Sequence, residues 1–246
     1  TATGGTTLIP NLGGVGSVQA DSWAWGWNAG ALFQVSETTR VGMAYRSKIK
    51  HRAEGDVSFQ RPVTGSAQID GALAAATPNG PVKAAIELPD TFTLSVMQRL
   101  NERWEMLGDV SWTGWSSLPS LDIYRTSGTL LSSETLKWRD TWRIALGTNY
   151  AYTNAIKLKF GLAYDQSPVT TDHRLARLPD TNRTWLAFGV QYALTPKSKI
   201  DVGYAHLFIN DAKIDANGGS TAAKGRLVGS YESSVDILGA QYSMAF

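Results

Sequence analysis

Thr141-Trp142-Arg143-Ile144-Ala145-Leu146-Gly147-Thr148-Asn149-Tyr150-Ala151-Tyr152 carries large or apolar side chains at its even positions, Thr148 apart, and small or polar ones at its odd positions. Side chains alternate across a strand, so one face of this segment is apolar and the other polar. That pattern suits a strand standing between lipid and a wet interior. Eight further segments alternate in the same way, and the chain closes on Tyr242, Met244 and Phe246 at every second position. The fold class is therefore all-β, a transmembrane antiparallel β-barrel.

Composition agrees. A hydrophobic content of 43% is too low for a helical membrane protein, and no apolar run approaches the length of a membrane-spanning helix. Charged residues make up 18%, below the share in an average soluble domain, while Trp and Tyr reach 9 each. Trp and Tyr suit the boundary between headgroup and hydrocarbon, whereas a soluble sandwich has no need of so many. A net charge of +2 without a basic tail argues against nucleic-acid binding. With no cysteine, a disulfide framework and thiolate metal sites are excluded. Thr1 opens a polar Gly/Thr stretch, so an exported chain of this kind is expected to have lost its targeting segment.

Nine strands follow from the alternation: Trp23 to Gln34, Arg40 to about Phe59, Ala84 to Leu100, Trp104 to about Ser117, Arg139 to Tyr152, Ile156 to Tyr164, Thr184 to Leu194, Lys199 to about Phe208, and about Tyr231 to Phe246. Residues 1–22 read as an extracellular loop segment and residues 23–246 as the barrel portion, with an excursion from Leu118 to Lys137. Short turns near 35, 101, 154 and 196 alternate with long loops near 70, 127, 174 and 218. This is the periplasmic and extracellular asymmetry of a bacterial outer-membrane barrel. Nine is an odd number, whereas bacterial single-chain barrels close with an even one. A free sheet edge in hydrocarbon leaves backbone groups unpaired at several kcal/mol each. The expectation is a C-terminal portion of a larger barrel, its N-terminal portion lying on a separate chain or cut away.

Parity places charges inside: Arg46, Lys48, Lys50 and Arg52 on the second strand, then Glu105, Asp109, Arg143, Lys157, Lys159 and Asp201. Facing lipid, a Lys or Arg costs about 2–4 kcal/mol at the midplane. Most of these charges are expected to pair across the interior. Apolar residues of inward parity, Leu32, Leu107, Trp115, Trp185 and Leu207, are candidates to line a ligand pocket. Enzymatic motifs are thin: His51, His173 and His206 lie in separate segments without zinc spacing, and no nucleophile elbow occurs. No catalytic residue, metal site or cofactor is expected.

Asn28-Ala29-Gly30, Tyr45-Arg46-Ser47 with Lys48 and Lys50, and Trp142 to Gly147 resemble the FadL family of outer-membrane transporters for long-chain fatty acids and other hydrophobic compounds. The most specific match is Tyr164-Asp165-Gln166-Ser167-Pro168-Val169, followed by Arg174, Leu178-Pro179-Asp180 and Arg183-Thr184-Trp185-Leu186. Asp201 to Tyr204, Tyr242 and Phe246 agree as well. The resemblance implies a fourteen-stranded barrel plugged by an N-terminal hatch. It also implies passive uptake of a long-chain fatty acid or similar molecule from an extracellular groove, and lateral release into the membrane. Outer-membrane lipid would surround it. Where the family places a base for the substrate carboxylate, this chain has Glu134, with Lys137 three positions on. Lys137 and Arg143 are thus the candidate head-group bases. Asp165, Ser167, Pro168, Arg174, Pro179, Asp180 and Arg183 read as a structural motif that holds a loop over the lumen. A structural or general porin-type barrel is the alternative.

Overall fold

The computed structural model describes residues 14–217 and 226–245. In chain order it holds β1 Val15–Asp21, β2 Asn28–Gln34, β3 Thr39–Arg46, β4 Ile49–Gln60, helix α1 Ala67–Ala76, β5 Gly80–Leu88, β6 Thr91–Arg99, β7 Trp104–Thr113, β8 Ser120–Arg125 and β9 Leu130–Thr135. There follow β10 Thr141–Ala151, β11 Ile156–Asp165, β12 Arg183–Thr195, β13 Ser198–Ile209, β14 Ala212–Asn217, β15 Arg226–Tyr231 and β16 Ser234–Met244. Nine of these strands form one sheet in the order β16-β13-β12-β11-β10-β7-β6-β3-β2, antiparallel throughout. They correspond to the nine alternating segments of the sequence. The sheet is open: among the described residues β2 and β16 do not pair with each other.

One continuous chain of 246 residues forms all nine strands, and nothing in it points to an N-terminal portion existing as a separate polypeptide. That expectation is corrected. It rested on the odd strand count and on the resemblance to a larger barrel, neither of which identifies a second chain.

A second sheet of five strands, in the order β1-β4-β5-β8-β9, extends from the extracellular ends of the first. Two strands read as continuous are broken between the sheets. One break falls at Ser47-Lys48, between β3 and β4, and the other at Pro89-Asp90, between β5 and β6. Pro89 lacks the N–H that a continuous ladder would use. Ser47 instead turns back: its N–H donates to the Trp27 carbonyl at 2.9 Å, and its Oγ accepts the Trp27 N–H at 3.0 Å. The break corrects the expected inward face of the second strand. Lys50 and Arg52 lie on the exposed face of β4, and Lys48 and Lys50 pair with Glu87 at 3.4 and 3.3 Å outside the main sheet.

Other boundaries differ as well. Val15–Asp21 is a strand paired with β4, and the loop near 70 contains α1. Within the Leu118 to Lys137 excursion, β8 and β9 form a hairpin. Tyr231 ends β15, the last spanning strand starts at Ser234, and Phe246 lies outside the described residues.

Register fixes the two faces of the main sheet. One carries Trp142, Ile144, Leu146, Leu162, Val190, Val202 and Leu238, with Leu146 61% and Leu238 79% exposed. Such exposure is costly in water and favourable in hydrocarbon, where each large apolar side chain gains about 1.5–3 kcal/mol. Tyr150, Tyr192 and Tyr242 stand on this face near the periplasmic turns, and Phe92, Trp112 and Trp142 near the extracellular end. These two groups are the aromatic girdles of a membrane strand set. Among the described residues, the charged group of this face lies close to its extracellular margin. Asp236 accepts from Tyr204 Oη at 2.6 Å and pairs with His206 Nδ1 at 2.7 Å. Near the interface a lipid-facing charge costs about 0–1 kcal/mol.

Candidate functional site

The opposite face is the inner wall. Leu32, Gly42, Ser95, Asp109, Ala145, Ala163, Trp185, Leu207 and Val235 stand opposite one another in a single row across all nine strands. The next row toward the periplasm is Gln34, Arg40, Met97, Leu107, Gly147, Gly161, Ala187, Ala205 and Ile237. Apart from Asp109, Arg40, Gln34 and Ser95, these two rows make an apolar belt. In the second row the residues become small on β10 to β13, as Gly147, Gly161, Ala187 and Ala205. Below it, Gly189, Gly203 and Gly239 face one another and help floor a cavity of about 530 Å³. Extra Cβ atoms there would fill the concave surface that the glycines leave open.

Charges flank the belt and are largely paired. Above it, Arg143 meets Asp109 at 3.2 Å, and Arg183 meets Asp165 and Asp180 at 3.3 Å each. Below it, Lys159 meets Asp201 at 2.6 Å, Gln191 donates to Asp201 at 2.8 Å, and Asn149 donates to Glu105 at 2.7 Å. Pairing lowers the cost of partly buried charge, and it also occupies groups that would otherwise be free for a ligand.

The structure brings Leu32, Leu107, Trp185 and Leu207 to the belt. Leu32 on the edge strand β2 is 69% exposed and Leu207 only 4%. Buried beside Leu207, the Trp185 indole N–H has no hydrogen-bond acceptor. Trp115 is placed elsewhere. β7 ends at Thr113, and Trp115 lies in a 3-10 turn, its ring edge-on to Trp138 at 5.2 Å. Its parity on a continuous strand therefore had no meaning. Arg143 is inward but held by Asp109. Lys137 is exposed in the link between β9 and β10, with φ of 43° and its N–H donating to the Pro119 carbonyl at 2.8 Å. The two candidate bases are not brought together on one wall.

The loop from β11 to β12 has a dense polar framework. Ser167, 1% exposed, donates from Oγ to Asp180 at 2.7 Å and accepts the Val169 N–H at 3.1 Å. Its own N–H donates to Asn182 Oδ1 at 2.9 Å. Arg174 is buried, donating to the carbonyls of Asp180 at 3.2 Å and of Lys213 in β14, rather than to a carboxylate. Arg139 donates to the Ser167 carbonyl at 3.2 Å, and its N–H to the Pro168 carbonyl at 3.1 Å. Pro168 and Pro179 bracket this network. Sequence reasoning missed Asn182 and Arg139. Asn182 lies between Asp180 and Arg183 of the motif, and that adjacency was the available signal.

The family described as outer membrane protein transport protein (OMPP1/FadL/TodX) matches residues 1–246. The 47 kDa outer membrane protein of Pasteurella multocida is 35% identical over 195 residues, covering 78% of this chain and 45% of the relative. The long-chain fatty acid transport protein of Escherichia coli O6:H1 is 32% identical over 213 residues, covering 85% and 47%. A Pseudomonas aeruginosa FadL homologue superposes with a TM-score of 0.84 at 25% identity, over 98% of this chain and 58% of that one. The Pseudomonas putida toluene transporter TodX, at 14% identity and a TM-score of 0.60, shares the fold. The chain thus spans about half the length of the curated relatives it matches. With lipid-facing girdles, a small-residue inner wall and this match along its whole length, the chain belongs to the OMPP1/FadL/TodX family of transport proteins and is a protein of the bacterial outer membrane.

Proposed function

We propose that this chain forms part of the wall of a passive channel that takes up long-chain fatty acids or similar hydrophobic molecules. In this reading further strands join the free edges of β2 and β16 and close a barrel of fourteen. Of the expected segment 1–22, the described residues 14–22 lie on the extracellular side and the rest fall outside the described residues, and the nine strands of the main sheet within 23–246 carry the spanning wall. The observation that carries the reading is the apolar belt, with Leu107, Met97, Trp185, Leu207, Val235 and Ile237 on inward-facing positions between two zones of paired charge. An alkyl chain gains about 25 cal/mol per Å² of area removed from water, so a dry belt can hold it while paired charges compete little. Of the candidate bases, Arg143 is already neutralised by Asp109, which favours hydrophobic contact over charge as the main source of affinity at this level.

The test is oleate uptake by cells that lack their own fatty-acid channel and express the full-length protein. Leu207→Asp places an uncompensated charge in the belt and should abolish uptake while leaving the folded protein in the outer membrane. Uptake equal to that of the unaltered protein would refute the belt as the ligand path.

A further inference from the structure

At the periplasmic end of the inner wall a second cavity, of about 380 Å³, is lined by Arg99, Arg103, Lys157, Asn149, Glu105 and Glu102, among others. Arg99 closes β6, Arg103 sits in the turn before β7, and Lys157 is the second residue of β11. The turn is firmly built: Asn101 Oδ1 accepts the N–H groups of Arg103 and Trp104 at 2.9 and 3.0 Å, and the Arg103 carbonyl accepts the Ala151 N–H at 2.8 Å. Two of the acids nearby accept hydrogen bonds from other groups. Glu105 takes the Asn149 amide at 2.7 Å, and Asp201 is shared by Lys159 at 2.6 Å and Gln191 at 2.8 Å. Arg99 is directly opposite Glu105 in register yet makes no ion pair with it. Among the described residues, then, Arg99, Arg103 and Lys157 have no carboxylate within ion-pair distance, and Glu102 in the exposed turn is the lining's one unengaged acid. The extracellular zone is different, since Arg143 and Arg183 are both paired there.

We propose that this cavity is an anion site that takes the carboxylate of an amphiphile whose alkyl chain lies on the apolar belt above. This inference rests on the uptake reading and adds the orientation of the bound molecule, head group toward the periplasm. Two guanidinium forks and an ammonium suit a carboxylate, because Arg presents paired donors in the geometry of its two oxygens. The spacing is compatible: from Leu107 to Arg103 is four residues, or about 13 Å along the strand, within reach of an extended long-chain acid. The lining sets three cations against the two carboxylates of Glu102 and Glu105, a net positive charge that favours anions over neutral analogues.

The test uses purified full-length protein in detergent, with oleate and oleyl alcohol as probes, for the unaltered protein and for R99Q/R103Q/K157Q. The substitutions should weaken oleate about tenfold or more and leave oleyl alcohol almost unchanged. The difference should shrink between about 50 mM and about 500 mM salt, as screening of partly exposed charge requires. R99K/R103K keeps the charge but not the paired donors and should lose less oleate affinity than the triple variant, which separates loss of charge from loss of fold. Oleate affinity unchanged in the triple variant, or equal losses for acid and alcohol, would overturn the site while the uptake reading stands. Stronger competition by lysophosphatidylglycerol than by oleate would assign the cavity to a lipid phosphate and overturn the carboxylate assignment. Failure of the unaltered protein to bind either probe would overturn the uptake reading itself.

Discussion

Replacing Ser167 with alanine removes one hydroxyl and disturbs two groups at once. Its Oγ donates to the Asp180 carboxylate at 2.7 Å and accepts the Val169 N–H at 3.1 Å, in a residue only 1% exposed. A hydrogen bond to a charged acceptor contributes about 1.5–3 kcal/mol, and a stranded buried N–H costs about 1–3 kcal/mol. Arg183 still faces Asp180 at 3.3 Å and retains part of the first term. The expected net loss is about 2–4 kcal/mol, or roughly a 30- to 1,000-fold rise in local opening. Hydrogen exchange on full-length protein reads that opening directly, at the amides of Ser167, Val169 and Arg174. Exchange should accelerate there and remain slow in β11 and β12. Unchanged protection at Val169 would refute the reasoning and would mean that Arg174 and Arg139 hold the loop without Ser167.

Two further outcomes follow from the faces and from the extracellular sheet. Val96→Lys turns a charge to lipid and should cost about 2–4 kcal/mol near the midplane, whereas the adjacent Ser95→Lys faces Asp109 across the inner wall and should cost little. Denaturant titration of both variants checks the assignment, and equal losses would contradict it. Asp122 accepts the hydroxyls of Ser133 and Ser120, which hold its carboxyl below the usual aspartate range. A depressed folded value means stabilisation that is present above the unfolded value and lost as pH falls through the folded one. Limited proteolysis of the β8–β9 hairpin should therefore quicken as pH drops below about 4, and Asp122→Ala should remove that dependence.

The spanning strands were legible because their alternation reports a lipid face and a wet face, and Thr141 to Tyr152 does so almost without interruption. The exchange between sheets at Ser47 and Pro89 was not legible from periodicity. Arg46, Lys48, Lys50 and Arg52 keep one parity straight through the break, and parity carries no information about which sheet a strand joins. Pro89 was the available sign, since it cannot serve a continuous ladder. Trp115 illustrates the same limit, because Gly114 ends β7 and the alternation beyond it is accidental. Inward charge was legible, but the pairs Arg143 with Asp109 and Lys159 with Asp201 depend on register, which no single strand encodes.

The central proposal is that the intact protein is a channel for hydrophobic molecules rather than an aqueous pore. Conductance in a planar bilayer separates the two most directly. With an apolar belt and paired charges on the wall, the full-length protein should stay nearly closed to small ions even while it takes up oleate. A steady, porin-like ionic conductance through a continuous water-filled lumen would contradict the account.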